Sequence, residues 1–225
     1  MKAVIFDFNG TMIFDTKMND IAWREMLKKY CGRVISDEEM DSYVHGRPNA
    51  DSIRHYINSE LTDEEAEVYS EEKEIIYRAL CLKETELFRL VKGLEPLLDR
   101  LKEHEIPFTI ATAAGRNNVN FYFEHLGLSR WFSIDRVALA DGTLPGKPEP
   151  DVYLRACKIL NVDPGDCIVV EDSMAGLTSA ARAGIGKIIA VASTFDAPQI
   201  RELPMVSAVI EDFEGFEEAA GLVMD

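Results

Sequence analysis

Cysteine is scarce in this chain: four among 225 residues, at positions 31, 81, 157 and 167, with no Cys-x-x-Cys pair. That usage argues against a disulfide-stapled scaffold and points to reduced thiols in a cytoplasm. Long apolar runs are lacking too. None approaches the ~20 residues that span a bilayer, so no membrane partner is expected. No secretory leader is expected, because the short run Ala3-Val4-Ile5-Phe6 stands at the very start. Basic residues are few, 24 Lys and Arg against 40 Asp and Glu, for a net charge of −16. A nucleic-acid binder needs a basic face, so that class is disfavoured. Internal repeats and low-complexity stretches are also missing. What remains is 47% hydrophobic, enough for one large domain or one domain with a smaller insert. In so acidic a protein an anionic substrate requires local positive charge, from a metal or from a few placed Lys and Arg side chains.

Five short apolar runs read as buried parallel strands: Ala3 to Phe6, Phe108 to Ala111, Cys167 to Val170, Ile188 to Ala192 and Ala208 to Ile210. Helical patterns lie between most of them. Alternation of this kind predicts an α/β fold, a Rossmann-like parallel sheet with helices on both faces. The stretch from 16 to 87 differs, because it holds no convincing strand. It reads as four helices at about 17–30, 37–44, 50–58 and 62–82. Ser36 with Glu39, and Thr62 with Glu65, have capping-box spacing. The predicted organisation is a core of residues 1–15 and 88–225 with a helical insert over 16–87.

Three of the strands end alike. The first runs into Asp7, the second into Thr112, the third into Glu171 and Asp172, and each is followed within about four residues by Gly10, Gly115 or Gly176. In a parallel sheet those ends share one edge, where α/β proteins bind ligands. Clustered carboxylates repel, and a hard cation such as Mg²⁺ removes the conflict. Lys147, in the loop Gly146-Lys147-Pro148-Glu149-Pro150, can reach the same edge and meet a phosphate.

Asp7-Phe8-Asn9-Gly10-Thr11 resembles the first motif of the haloacid dehalogenase superfamily, which in its phosphatases reads Asp-x-Asp-Gly-Thr. Thr112 resembles the second motif, Lys147 in Gly-Lys-Pro-x-Pro-Asp the third, and Glu171-Asp172-Ser173-x-x-Gly176 the fourth. The helical insert sits where the family's C1 cap sits. The resemblance covers nearly the whole chain and is strongest to the β-phosphoglucomutase and phosphoglycolate phosphatase group. It implies a Mg²⁺-dependent phosphatase of a small phosphorylated metabolite, with Asp7 as the nucleophile that becomes an aspartyl phosphate. It implies that Asp7, the backbone carbonyl of Asn9 and Asp172 bind the metal with Glu171 in support. Thr112, the backbone of Ala113 and Lys147 would hold the phosphate oxygens. Gly10 would carry the tight turn towards the cap, which would close and exclude water. His45-Gly46-Arg47 resembles the group's substrate-specificity loop, in which Arg47 would pair with a carboxylate or a second phosphate, the alternative being a solvent-facing arginine. A monomer is expected.

One position departs from the pattern. The second carboxylate of the first motif is the family's general acid and base, and here it is Asn9. An amide cannot exchange a proton near neutral pH. The expectation is a slow enzyme. The substitution has three readings: a natural variant for a substrate with a good leaving group, an inert phosphometabolite-binding protein, or a deliberate replacement. A β-phosphoglucomutase-type mutase is a further alternative, although Asn19 stands where mutases carry a cap histidine, and Ala113-Ala114-Gly115-Arg116 replaces their Ser followed by Lys-Asn.

Overall fold

The structure, a computed structural model, describes residues 3–45, 47–139, 141–193 and 200–224. The chain forms two compact units, one of Asp15–Phe88 and one of Met1–Phe14 with Arg89–Asp225.

The smaller unit is helical: α1 (Thr16–Cys31), α2 (Asp37–Tyr43), α3 (Asn49–Tyr56) and α4 (Asp63–Lys83), each within two residues of the span its pattern predicts. Both capping boxes form. Ser36 Oγ accepts the Glu39 N–H at 3.2 Å while Glu39 Oε2 accepts the Ser36 N–H at 3.0 Å. Thr62 and Glu65 repeat the exchange at 3.2 and 2.9 Å. The acidic first turns of α2 and α4 suit the helix dipole. Gly32, with φ of 68°, ends α1 in the left-handed conformation. Trp23, Met26 and Leu27 recur at helical spacing on α1 and pack with Met40, Ile53 and Ala66 into this unit's own core.

The larger unit is built on five strands: β1 (Ala3–Phe6), β2 (Phe108–Ile110), β3 (Cys167–Glu171), β4 (Lys187–Val191) and β5 (Ala208–Ile210). They form one parallel sheet in the order β2-β1-β3-β4-β5. Its described residues include the helices α5 (Leu94–Glu103), α6 (Arg116–His125), α7 (Asp151–Leu160), α8 (Met174–Arg182) and α9 (Phe216–Ala220). Alternate strand residues face opposite sides. Ile5, Val169 and Ala190 join a core with Tyr153 and Ala156 of α7 and Leu177 and Ala180 of α8. Phe6 instead packs against the rings of Phe213 and Phe216, at 5.9 and 6.4 Å between centroids. Covering on both faces is why β1 and β3 are buried at every position and read as unbroken apolar runs. The order leaves β1 flanked by β2 and β3, so the chain segments leaving these three strands are neighbours. The four cysteines are free thiols. Among the described residues no helix is long and apolar enough to cross a membrane.

Candidate active site

Backbone hydrogen bonds bring the strand ends into one place. The Asp7 N–H donates to the Val170 carbonyl at 2.9 Å, which pins Asp7 beside the end of β3. On the other side the Ala111 N–H donates to the Phe6 carbonyl at 2.8 Å, and the Thr112 N–H to the Ala138 carbonyl at 2.9 Å. Thr112 is buried, and its Oγ1 accepts the Ala114 N–H at 3.0 Å. Ala113 lies exposed in the turn between them.

Lys147 joins Asp7 to Glu171. Its Nζ donates to Asp7 Oδ1 and to Glu171 Oε1, both at 2.6 Å. All three side chains are buried, and Lys147 Nζ stands 5.0 Å from the centroid of the Tyr153 ring. The Tyr153 hydroxyl donates to Glu171 Oε1 at 3.2 Å. Glu171 Oε2 accepts the Ser173 N–H at 2.6 Å and the Ser173 hydroxyl at 3.0 Å. Asp172, also buried, accepts the Thr11 hydroxyl on Oδ1 at 3.0 Å. Two glycines make room for these carboxylates. A Cβ on Gly176 would fall 1.6 Å from Glu171 Oε1, and one on Gly10 would fall 2.1 Å from Asp172 Oδ2. Gly10 also has φ of +76°, the left-handed region that favours glycine.

The electrostatics follow from this crowding. Burial is the largest cause of a net rise in the Asp7 carboxyl from 3.8 to about 7. Lys147 pulls it back, Glu171 pushes it further up, and donors from Lys147 and the Phe8 backbone lower it. Burial by itself would lower Lys147, but Asp7 and Glu171 outweigh it and hold the ammonium well above its usual range. Asp7, Glu171 and Asp172 each offer a carboxylate oxygen within 4.8 Å of the others. Three buried carboxylates gather here, and the Lys147 ammonium bonds two of them, Asp7 and Glu171. An all-oxygen, buried donor set of this kind fits a hard divalent cation.

Asn9 is half-buried. Its Nδ2 donates to the Tyr122 hydroxyl at 2.9 Å, and the Tyr122 ring stacks on Phe8 with centroids 4.2 Å apart. Arg47 belongs to the helical unit, where it is exposed with its guanidinium carbon 6.0 Å from the Tyr43 ring centroid. Its neighbour Gly46, part of the expected specificity loop, lies outside the described residues.

Sequence reasoning missed four participants. Thr11 stands in the first motif, whose spacing gives no sign of its bond to Asp172. Ser173 stands in the fourth, whose spacing gives no sign of its double contact to Glu171. Tyr153 stands beside the Lys147 loop and offers a weak signal, a buried tyrosine in the first turn of the helix that follows. Tyr122 lies 113 positions from Asn9 and carries no local signal at all.

Comparison with known proteins fits this geometry. The family model described as haloacid dehalogenase-like hydrolase matches residues 1–184. Hexitol phosphatase A of Escherichia coli is 27% identical over 223 residues, 99% of this chain and 98% of that protein. β-Phosphoglucomutase of Bacillus subtilis is 28% identical over 192 residues, 82% of this chain and 81% of that protein. A crystal structure described as a HAD hydrolase, family IA, variant 3, from Entamoeba histolytica superposes with a TM-score of 0.91 at 39% identity, covering 100% of each chain.

Proposed function

Because this chain belongs to the haloacid dehalogenase-like hydrolases, we propose that it is a cytoplasmic, Mg²⁺-dependent phosphatase of a small sugar or polyol phosphate, slowed by Asn9. The observation that carries the reading is the junction of Asp7, Lys147 and Glu171, with Asp172 beside them, where three neighbouring strands end.

The residues divide the work as follows. Lys147 orients Asp7 and favours its ionised form against the stronger pull of burial. Glu171, fixed by Ser173 and Tyr153, holds Lys147 in place. Thr112, the backbone of Ala113 and Lys147 receive the phosphate oxygens. An Asp7 oxygen attacks phosphorus, forming one P–O bond as the bond to the sugar oxygen breaks. The electron pair remains on that leaving oxygen, which takes its proton from solvent because the Asn9 amide has none to exchange. Water then cleaves the aspartyl phosphate. Asp7, the Asn9 carbonyl and Asp172, with Glu171 in support, would hold the Mg²⁺, which supplies positive charge beside the transferring phosphoryl group. The helical unit is read as the cap, with Arg47 available for substrate charge.

Hydrolysis of a generic aryl phosphate that requires Mg²⁺ and vanishes in Asp7→Ala tests the reading. General acid–base catalysis is worth about 10²–10⁴-fold, so Asn9→Asp is expected to raise the rate by about 10²-fold or more. Mg²⁺-dependent ligand binding with no turnover in either form would replace the phosphatase by an inert binding protein. The similarity to a β-phosphoglucomutase favours a mutase as second reading. Conversion of β-glucose 1-phosphate to glucose 6-phosphate would establish it.

A further inference from the structure

Two thiols meet in the core of the larger unit and have no part in the chemistry described above. Cys157 lies on α7 and Cys167 opens β3, and their Sγ atoms are 3.7 Å apart. Both are free, Cys167 fully buried and Cys157 3% exposed. The Cys167 thiol also donates to the Asp163 carbonyl at 3.5 Å. Cys157 lines a surface depression of about 340 Å³, together with Asn161, Asp163 and Asp166. A small oxidant entering from solvent therefore meets Cys157 first.

A single buried cysteine is usually no more than a small apolar side chain. A pair in contact is different. The sulfurs of a disulfide stand about 2.05 Å apart, so these two need approach by only about 1.7 Å. A metal is the other ligand that two thiols suggest. Among the described residues, however, they join no group of three metal-binding side chains, and a structural metal site needs four ligands.

The pair also shares its elements with the candidate active site. Tyr153 and Cys157 stand four residues apart on one face of α7, and Cys167 and Glu171 lie on one side of β3. So α7 meets β3 through two side-chain contacts, the Tyr153 hydroxyl on Glu171 at 3.2 Å and the two sulfurs at 3.7 Å. A covalent bond at the second contact acts on the same elements that set the first.

We propose that Cys157 and Cys167 are an oxidisable dithiol that a hydroperoxide closes to a disulfide, tying α7 to β3 on the elements that carry Tyr153 and Glu171. The Cys157 sulfur, having lost its proton to solvent, attacks one peroxide oxygen. The O–O bond breaks, and the other oxygen leaves as water or an alcohol after taking a proton. Cys157 is then a sulfenic acid. The Cys167 sulfur attacks the Cys157 sulfur, forming the S–S bond as the S–O bond breaks. The departing hydroxide takes the Cys167 proton and leaves as water. The two electrons lost by the thiols are gained by the peroxide.

The test treats the reduced protein with hydrogen peroxide, alkylates it, and maps tryptic peptides without reduction. Cleavage after Lys158 separates the two cysteines, so a bridge joins two peptides. The expected product carries that bridge, has lost two hydrogens, and reverts with dithiothreitol. Its thermal midpoint should rise by about 5 °C, as a disulfide that closes a short loop stabilises a chain of this length. The NMR signals of the Tyr153 ring should move on oxidation and return on reduction. Cys157→Ala should show neither bridge nor shift, and Cys31→Ser should behave as the parent does. A bridge through Cys31 or Cys81, a sulfinic acid on Cys157 beside a Cys167 thiol, or no reaction at either sulfur overturns the inference. A bridged protein whose midpoint does not rise, or whose Tyr153 signals stay in place, overturns the tie between α7 and β3. None of these readouts needs turnover, so the inference stands or falls apart from the phosphatase reading.

Discussion

The close approach of Gly176 to Glu171 makes a sharp prediction. A Cβ added at residue 176 would lie 1.6 Å from Glu171 Oε1 and 1.9 Å from its Cδ, so the carboxylate must retreat by roughly 1.8 Å to regain an ordinary 3.4 Å contact. It has little freedom to do so, because it accepts from Lys147 and the Ser173 N–H at 2.6 Å and from the Ser173 and Tyr153 hydroxyls at 3.0 and 3.2 Å. Glu171 is 1% exposed, so water cannot replace a lost donor. Breaking one charge-assisted bond to a buried carboxylate costs about 1.5–3 kcal/mol, and strain adds to it. We take about 3 kcal/mol for Gly176→Ala, a drop in thermal midpoint of about 6–12 °C for a chain of this length. Gly165→Ala is the control, since its Cβ would meet nothing within 4 Å. It should fall within about 0.5 kcal/mol of the parent. Calorimetry of both variants, with aryl phosphate turnover alongside, makes the comparison. If Gly176→Ala melts with Gly165→Ala and turns over like the parent, the Glu171 carboxylate is not held as described.

Lys147→Met leaves the buried carboxylates of Asp7 and Glu171 without their ammonium, a loss expected to cost about 3–5 kcal/mol in the absence of divalent cations. Added Mg²⁺ should then raise the thermal midpoint of this variant more than that of the parent, and equal shifts would count against a cation held by these carboxylates. A pH effect is expected in the helical unit. Hydrogen bonds from Arg33 and from the Ser36 N–H hold Glu39 down from 4.5 to about 2. A depressed carboxyl contributes its full stability above its unfolded pKa and loses it as the pH falls through the folded one. The gap in thermal midpoint between the parent and Glu39→Gln should therefore be steady above 4.5 and close as the pH drops towards 2. A gap independent of pH would show that the capping carboxylate contributes nothing through its charge.

The sheet was legible because both of its faces are covered. Burial on two sides demands continuous apolar runs, and each run lies within one residue of a strand. The helices of the smaller unit were legible from reciprocal capping signals at Ser36 and Thr62, which form as spaced. The convergence of Asp7, Thr112, Glu171 and Asp172 followed from one property, that a parallel sheet puts all carboxyl ends of its strands on one edge. Contacts set by side-chain reach rather than by backbone topology were not legible. Tyr153 reaches Glu171 from the preceding helix, and Tyr122 reaches Asn9 from a helix behind a different strand. In the sequence both are ordinary apolar-face aromatics. The closeness of Gly176 to a carboxylate was likewise hidden, because a glycine at a helix start has many causes.

The account depends on Asp7 being the group that takes the phosphate. The direct test is to mix the enzyme with an aryl phosphate and Mg²⁺, quench in acid, and locate the phosphate by peptide mass spectrometry. We predict an acyl phosphate on Asp7, absent when the metal is chelated and absent in Asp7→Ala. Phosphate found on another residue, or turnover that persists in Asp7→Ala, would contradict it.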